Sequence, residues 1–250
     1  MSRPTMTEAL AALRQLPLTF FPGADSVDLE QLDEVPGATS PDPVRALYAD
    51  HNGFSDDGWP TESAEFARGH GTRFTLMPVA EALETRRAIL EEWFETEEEA
   101  ALYTNLLPLW TDSANYMCYF LAGPLQGRLG FLFHEDPYFI QPLFRDIPAF
   151  LCDLVREART GNNAFDYPAQ TPRPEWDVVD TALCQGFIEE YLTSENPFLQ
   201  QNAARNAIYL CPPDRLSLLE PLRTTPRNLD DYDYETLLRV LAKREAGELT

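Results

Sequence analysis

Tyr116-Met117-Cys118-Tyr119-Phe120-Leu121-Ala122-Gly123-Pro124-Leu125-Gln126-Gly127-Arg128-Leu129-Gly130-Phe131-Leu132-Phe133 is the stretch whose reading decides the fold. Aromatic and other strand-favouring residues crowd its two ends, and Gly123-Pro124 with Gly127 break its middle. The spacing predicts a strand over Tyr116–Ala122 and a second over Arg128–Phe133. Phe139–Leu143 predicts a short third strand, and Pro142, which cannot donate to a ladder, places it at an edge. Asp146 then opens a helix whose Phe150, Leu151, Leu154 and Val155 share an inward face, with Gly161 closing it. Strands gathered in one region and covered by a helix predict an α+β fold: a small mixed or antiparallel sheet covered by helices.

Toward the N-terminus, Thr7–Leu16 reads as a helix with Leu10, Leu13 and Leu16 at helical spacing. A Pro, Gly and Asp-rich stretch runs from there to Pro43. A helix over Pro43–His51 follows, with Val44, Leu47 and Tyr48 on one face, and Asn52-Gly53 supplies left-handed cap residues. Residues 54–71 read as a loop, Arg73–Met77 as a short strand, and Pro78 to Glu92 as a helix carrying Val79, Leu83, Ile89 and Leu90. Thr96 and Glu99 have capping-box spacing for a further helix through Leu102. On the C-terminal side, Pro168, Pro172 and Pro174 mark a linker, and everything beyond it reads as helical. The helices are Asp177–Leu192, Pro197–Leu210 with Asn196 as cap, Pro213–Leu222 and Tyr234–Glu245. The chain therefore divides into an α+β domain over residues 1–160 and an all-helical C-terminal region over residues 171–250, a small bundle or a HEAT-like pair of hairpins.

The 250 residues carry 41 acids against 19 bases, a formal net charge of -22. That balance opposes nucleic acid, whose phosphates call for Lys and Arg, and it opposes anionic membrane surfaces. It favours a basic protein partner, because a field of one sign speeds and orients encounter. The first residues read as a polar start and a short amphipathic helix, not as a secretory leader. No run approaches the ~20 apolar residues of a membrane span. Cys118, Cys152, Cys184 and Cys211 lie in apolar surroundings without zinc spacing, which predicts free buried thiols and a cytoplasmic setting.

Motifs for chemistry are sparse. His51, His70 and His134 are the three histidines, and none belongs to a His-Glu-x-x-His pattern. Gly69-His70-Gly71 precedes a strand, whereas a dinucleotide fingerprint follows one. The sequence offers no nucleophile elbow and no Walker motif, so no catalytic, cofactor-binding or metal-binding residue is assigned. Three acidic clusters with embedded aromatics stand out instead. Glu91, Glu92, Glu95, Glu97, Glu98 and Glu99 surround Trp93 and Phe94. Asp56 and Asp57 precede Trp59, and Asp230, Asp231 and Asp233 alternate with Tyr232 and Tyr234. Charge runs usually form solvated faces. A docking surface would use the same charge for steering and the aromatics as anchors. The residues assigned to partner binding are Glu91, Glu92, Trp93, Glu95, Asp56, Asp57 and Trp59.

Residues 40–158 resemble the SUKH superfamily. The resemblance rests on Asn52-Gly53 after an early helix, and on Leu107-Pro108-Leu109-Trp110-Thr111-Asp112-Ser113-Ala114-Asn115-Tyr116 leading into a strand. It continues through a strand that runs into His134-Glu135-Asp136, and through Ile147-Pro148-Ala149-Phe150-Leu151 in the closing helix. Two departures stand out: Ala114-Asn115 replaces the family's frequent Gly-Asp, and residues 171–250 lie outside its core pattern. Fungal members of that superfamily regulate cell-wall assembly. Its bacterial members are largely immunity proteins that neutralise toxins delivered by contact-dependent or type VI secretion systems. The resemblance implies a non-catalytic immunity protein with a cognate, basic protein toxin as partner. The alternatives are a regulatory scaffold of the fungal kind and a hydrolase built on paired carboxylates. Oligomeric state is left open by the sequence.

Overall fold

In the computed structural model, residues 3–33, 35, 42–55, 75–94, 100–101, 103–111, 114–134, 140–160, 180–225, 229 and 231–247 are described. The chain divides into two compact units, residues 1–137 with 144–166, and residues 138–143 with 167–250. The linker expected around Pro168–Pro174 and the helix expected over Thr96–Leu102 fall mostly or wholly outside the described residues.

The first unit begins with α1 (Met6–Leu13), fixed by a reciprocal capping box. Thr5 Oγ1 accepts from Glu8 N–H, and the Glu8 carboxylate accepts from Thr5 N–H at 2.8 Å. Next come β1 (Thr19–Phe20), α2 (Ser26–Asp33), α3 (Asp42–Asp50) and β2 (Phe54–Ser55). β1 and β2 pair antiparallel as a separate two-stranded sheet. The Pro- and Asp-rich stretch thus holds a helix and a strand, and the start of the expected loop holds another strand.

The main sheet has five strands: β3 (Thr75–Leu76), β4 (Leu106–Thr111), β5 (Tyr116–Phe120), β6 (Leu129–Leu132) and β7 (Ile140–Phe144), in that spatial order. The β3/β4, β4/β5 and β5/β6 pairings are antiparallel. β5 and β6 are the hairpin expected from the sequence, turned through Gly123 and Gly127 at positive φ. β7 ends the strand order, where Pro142 is tolerated. β4 is an addition to the sequence reading. Its register shifts between Pro108 and Trp110, and that irregularity accommodates a proline within an inner strand.

The register sorts the side chains into two faces. Leu76, Trp110, Met117 and Phe131 stand in one cross-strand row. Trp110 meets Phe150 of α5 (Ile147–Thr160) edge-on at 4.6 Å, so α5 covers this face. Asp146 caps α5, its Oδ1 accepting from Ala149 N–H at 2.8 Å. α1 packs on α5. On the other face Leu106, Pro108, Cys118 and Leu132 meet Arg86, Ile89 and Leu90 of α4 (Val79–Glu92) around a cavity of about 10 Å³. An antiparallel sheet between helices, with helices alone in the described C-terminal region, is the expected α+β class.

The second unit centres on a helical hairpin, α6 (Thr181–Thr193) and α7 (Pro197–Leu210). Asp180 caps α6, and Asn196 caps α7 by accepting from Phe198 and Leu199 N–H. Asp180 N–H donates to Leu210 O at 2.8 Å, so the start of α6 lies beside the end of α7 and the helices run antiparallel. Ala203, Ala204 and Ala207 are fully buried on α7 and admit close helix neighbours. A 3₁₀ helix (Pro213–Leu219), α8 (Glu220–Thr224) and α9 (Asp231–Glu245) are the remaining described helices of this unit. α9 packs on α7.

Candidate protein-binding surface

α4 starts at a position set from outside the helix. Asn52 Oδ1 accepts from Val79 N–H at 2.8 Å, while Asn52 Nδ2 donates to Asp28 at 2.9 Å. Pro78 occupies the cap position and cannot itself satisfy a helix N–H, so Asn52 replaces the missing side-chain cap. Gly53 beside it has φ +106° and lies against Phe21 and the Leu76 carbonyl. The Asn-Gly pair therefore does more than end α3, because it joins α2, α3, β3 and α4 at one point.

From that start, helical spacing puts Glu81, Glu84, Arg87, Glu91 and Glu92 on the solvent side, and all five are exposed. Arg86 faces the other way. Its Nε donates to Leu106 O at 2.9 Å, and it also donates to Thr104 O. Arg87 is the one base on the exposed stripe and pairs with Glu84 at 3.5 Å. Glu91 and Glu92 occupy the last turn, which contains no base, and neither forms an ion pair with a described residue. Carbonyl groups give this end of the helix a partial negative charge, so two anions there are unfavourable by ~0.3–1 kcal/mol each.

Trp93 ends the helix, its N–H donating to Ile89 O at 3.2 Å. The Trp93 ring lies 5.8 Å from the Tyr116 ring at the start of β5, and Phe94 stacks on buried Tyr103 at 4.4 Å. Both aromatics are half-buried, so part of each fixes the helix end to the sheet and part remains accessible. Next to Tyr116, Asn115 Oδ1 accepts from His134 N–H at 3.1 Å and sits 2.9 Å from His134 Nδ1. An amide oxygen only accepts, so in that contact His134 Nδ1–H is the donor. His134 is exposed and meets Phe133 edge-on at 5.4 Å.

Glu91, Glu92 and Trp93 are consecutive at the C-terminal end of α4, the two glutamates exposed and the tryptophan half-buried. Glu95, Asp56, Asp57 and Trp59 lie outside the described residues, as do His70 and the Asp230 end of the third cluster. Sequence reasoning did not assign Tyr116, Asn115 and His134 to this surface. The usable signal was their place at the start of one strand and just past the end of its partner, since the Tyr116↔Leu132 register brings Asn115 and His134 together.

Of the other described histidine and cysteine side chains, all but Cys152 are buried. His51 is 2% exposed, with Nδ1 at 2.7 Å from Asp50 and its ring against Phe20 and Phe54. Burial, and then the Arg14 charge, push its pKa down to about 4. Cys118, Cys184 and Cys211 are buried, Cys152 is partly exposed, and all four are free thiols. Among the described residues no group of three or more His, Cys, Asp or Glu side chains is arranged to hold a metal ion. No described helix is long and apolar enough to cross a membrane. No protein-family model matches the chain, and no curated protein matches it.

Proposed function

We propose that the protein is a non-catalytic acidic binding module, an immunity protein that holds a basic protein toxin in the cytoplasm through the C-terminal end of α4. The observation that carries this reading is the placement of Glu91 and Glu92. Two exposed anions at the negative pole of a helix, without a neutralising base, weaken the fold at that point. A cationic partner removes the penalty on binding, so the same residues that cost stability alone contribute affinity in a complex. Trp93 and Tyr116 supply adjacent aromatic area of the kind that anchors interfaces, and the net charge of -22 accelerates encounter. The resemblance to SUKH immunity proteins narrows the basic partner to a secreted toxin.

The test is co-purification of the tagged chain with the product of its neighbouring gene at low and high salt, combined with growth rescue. A one-to-one complex that dissociates as salt rises and protects cells from that product is the expected result. A neighbouring product that is toxic, yet neither bound nor neutralised, would overturn the reading.

A further inference from the structure

Asn52-Gly53 is the one Asn-Gly pair in the chain, and the fold places opposing demands on it. Chemically, an asparagine followed by glycine is the pair most prone to lose its side-chain amide, because glycine leaves its own nitrogen unshielded. Structurally, both ends of that amide are in use. Asn52 Oδ1 accepts from Val79 N–H at 2.8 Å at the start of α4, and Nδ2 donates to Asp28 Oδ2 at 2.9 Å in the first turn of α2. Asn52 is half-buried and Gly53 is buried. The backbone is tied on either side, with Asn52 N–H donating to Pro22 O at 2.9 Å and Phe21 N–H to Gly53 O at 3.0 Å. The two side-chain contacts differ in what they require of residue 52. Val79 needs an acceptor, which an amide and a carboxylate both provide. Asp28 needs a donor, which an ionised carboxylate does not provide.

We propose that Asn52 is a site of spontaneous deamidation gated by its hydrogen bond to Asp28, and that the product unlatches α2 while keeping α4 capped. The Gly53 nitrogen attacks Asn52 Cγ, a C–N bond forms, and the Cγ–Nδ2 bond breaks. The Gly53 N–H proton leaves with Nδ2 as ammonia, and a cyclic imide remains. Water then opens either imide carbonyl to give aspartate or isoaspartate. The tetrahedral intermediate breaks the plane of the amide, so both side-chain hydrogen bonds must loosen first, and local opening of this corner sets the rate. In the aspartate product a carboxylate still accepts from Val79 N–H, and its charge suits the positive pole of α4. Toward Asp28 it presents a second anion where a donor stood, and like charges at that spacing repel. α2 keeps its contacts with Arg45, which donates to Leu29 O at 3.1 Å and pairs with Asp33 at 2.7 Å, but loses the one at its first turn. The isoaspartate product also lengthens the backbone by a methylene between the Pro22 and Phe21 hydrogen bonds. The change is one-way, so it accumulates with the time the corner spends open.

The test incubates the full chain at mildly alkaline pH, folded or in urea, and maps peptides by mass spectrometry after separating aspartate from isoaspartate forms. The expected result is conversion at Asn52 in both conditions, slower in the folded chain by about tenfold or more. Asp28→Ala should speed the folded reaction about tenfold and leave the reaction in urea unchanged. Independently, hydrogen exchange read by NMR should show faster exchange of the α2 amides in Asn52→Asp, with the Val79 amide still protected. Adding Asp28→Asn to that variant returns a donor to the pair and should restore α2. Equal conversion rates folded and in urea, or an unchanged folded rate in Asp28→Ala, would overturn the proposed gate. Loss of Val79 protection in Asn52→Asp, or α2 exchange as slow as in the wild type, would overturn the proposed effect of the product. The exchange measurement does not use Asp28→Ala, so it decides the matter even where that variant does not fold.

Discussion

Gly53 holds φ at +106°, and a Cβ built there would come within 2.9 Å of the Phe21 ring and 3.0 Å of the Leu76 carbonyl. Gly53→Ala therefore combines an unfavourable backbone conformation with a steric clash. The expected loss is about 1–3 kcal/mol in denaturant unfolding, with an unchanged slope against denaturant. His51 gives a different kind of residue-level signature. The unfolded chain takes up a proton near pH 6.5, whereas the folded ring resists protonation to about pH 4. Its contribution is complete above pH 6.5 and is lost as the pH falls from there toward 4. Asp50, 2.7 Å away, and Arg14 are the charged groups that face it. Thermal midpoints measured between these pH limits should fall more steeply for the wild type than for His51→Gln, which keeps a polar group but cannot titrate. Parallel curves would show that His51 does not contribute in this way.

At the scale of elements, α4 is where the fold and the proposed binding role pull apart. Replacing Glu91 and Glu92 by Lys reverses the charge at the helix C-terminus and should raise stability by about 0.5–2 kcal/mol in total. The same double change should weaken capture of a basic partner. Greater stability with poorer binding is a combination that a merely structural surface does not produce, and urea unfolding beside a binding titration reads both. Caps made the helices legible in the sequence: Asn196, Asp146 and Pro78 each stand where the structure starts or caps a helix. Four strands of the main sheet were legible: β5 and β6 from their aromatics and turn glycines, and β3 and β7 as short apolar runs. β4 is apolar throughout its buried part and contains Pro108, so it shows neither alternation nor an uninterrupted donor row. β1 and β2, at two residues each, are too short to carry a period. Charge and aromatic content marked Glu91, Glu92 and Trp93, but the Asn115–His134 contact exists only once the hairpin register is set. The sequence also could not show that Trp93 divides its ring between the sheet and solvent.

Across the whole molecule, the charge of -22 shapes both stability and encounter. Like charges repel most in the compact state, and salt screens that repulsion over a Debye length of about 10 Å at 0.1 M. Raising monovalent salt from about 10 to about 150 mM should therefore raise the thermal midpoint of the free chain, followed by circular dichroism. The same change should slow association with the partner. Under the proposed function, folding and binding respond oppositely to salt, because the field that opposes compaction would also attract a basic partner. The most direct test of the proposed function is the association rate with the neighbouring gene's product, measured across ionic strength for the wild type and for Glu91→Lys/Glu92→Lys. The account predicts a wild-type rate that falls steeply with salt, and a variant rate that is slower at low salt and nearly flat. Equal rates and equal salt dependence for the two proteins would contradict it.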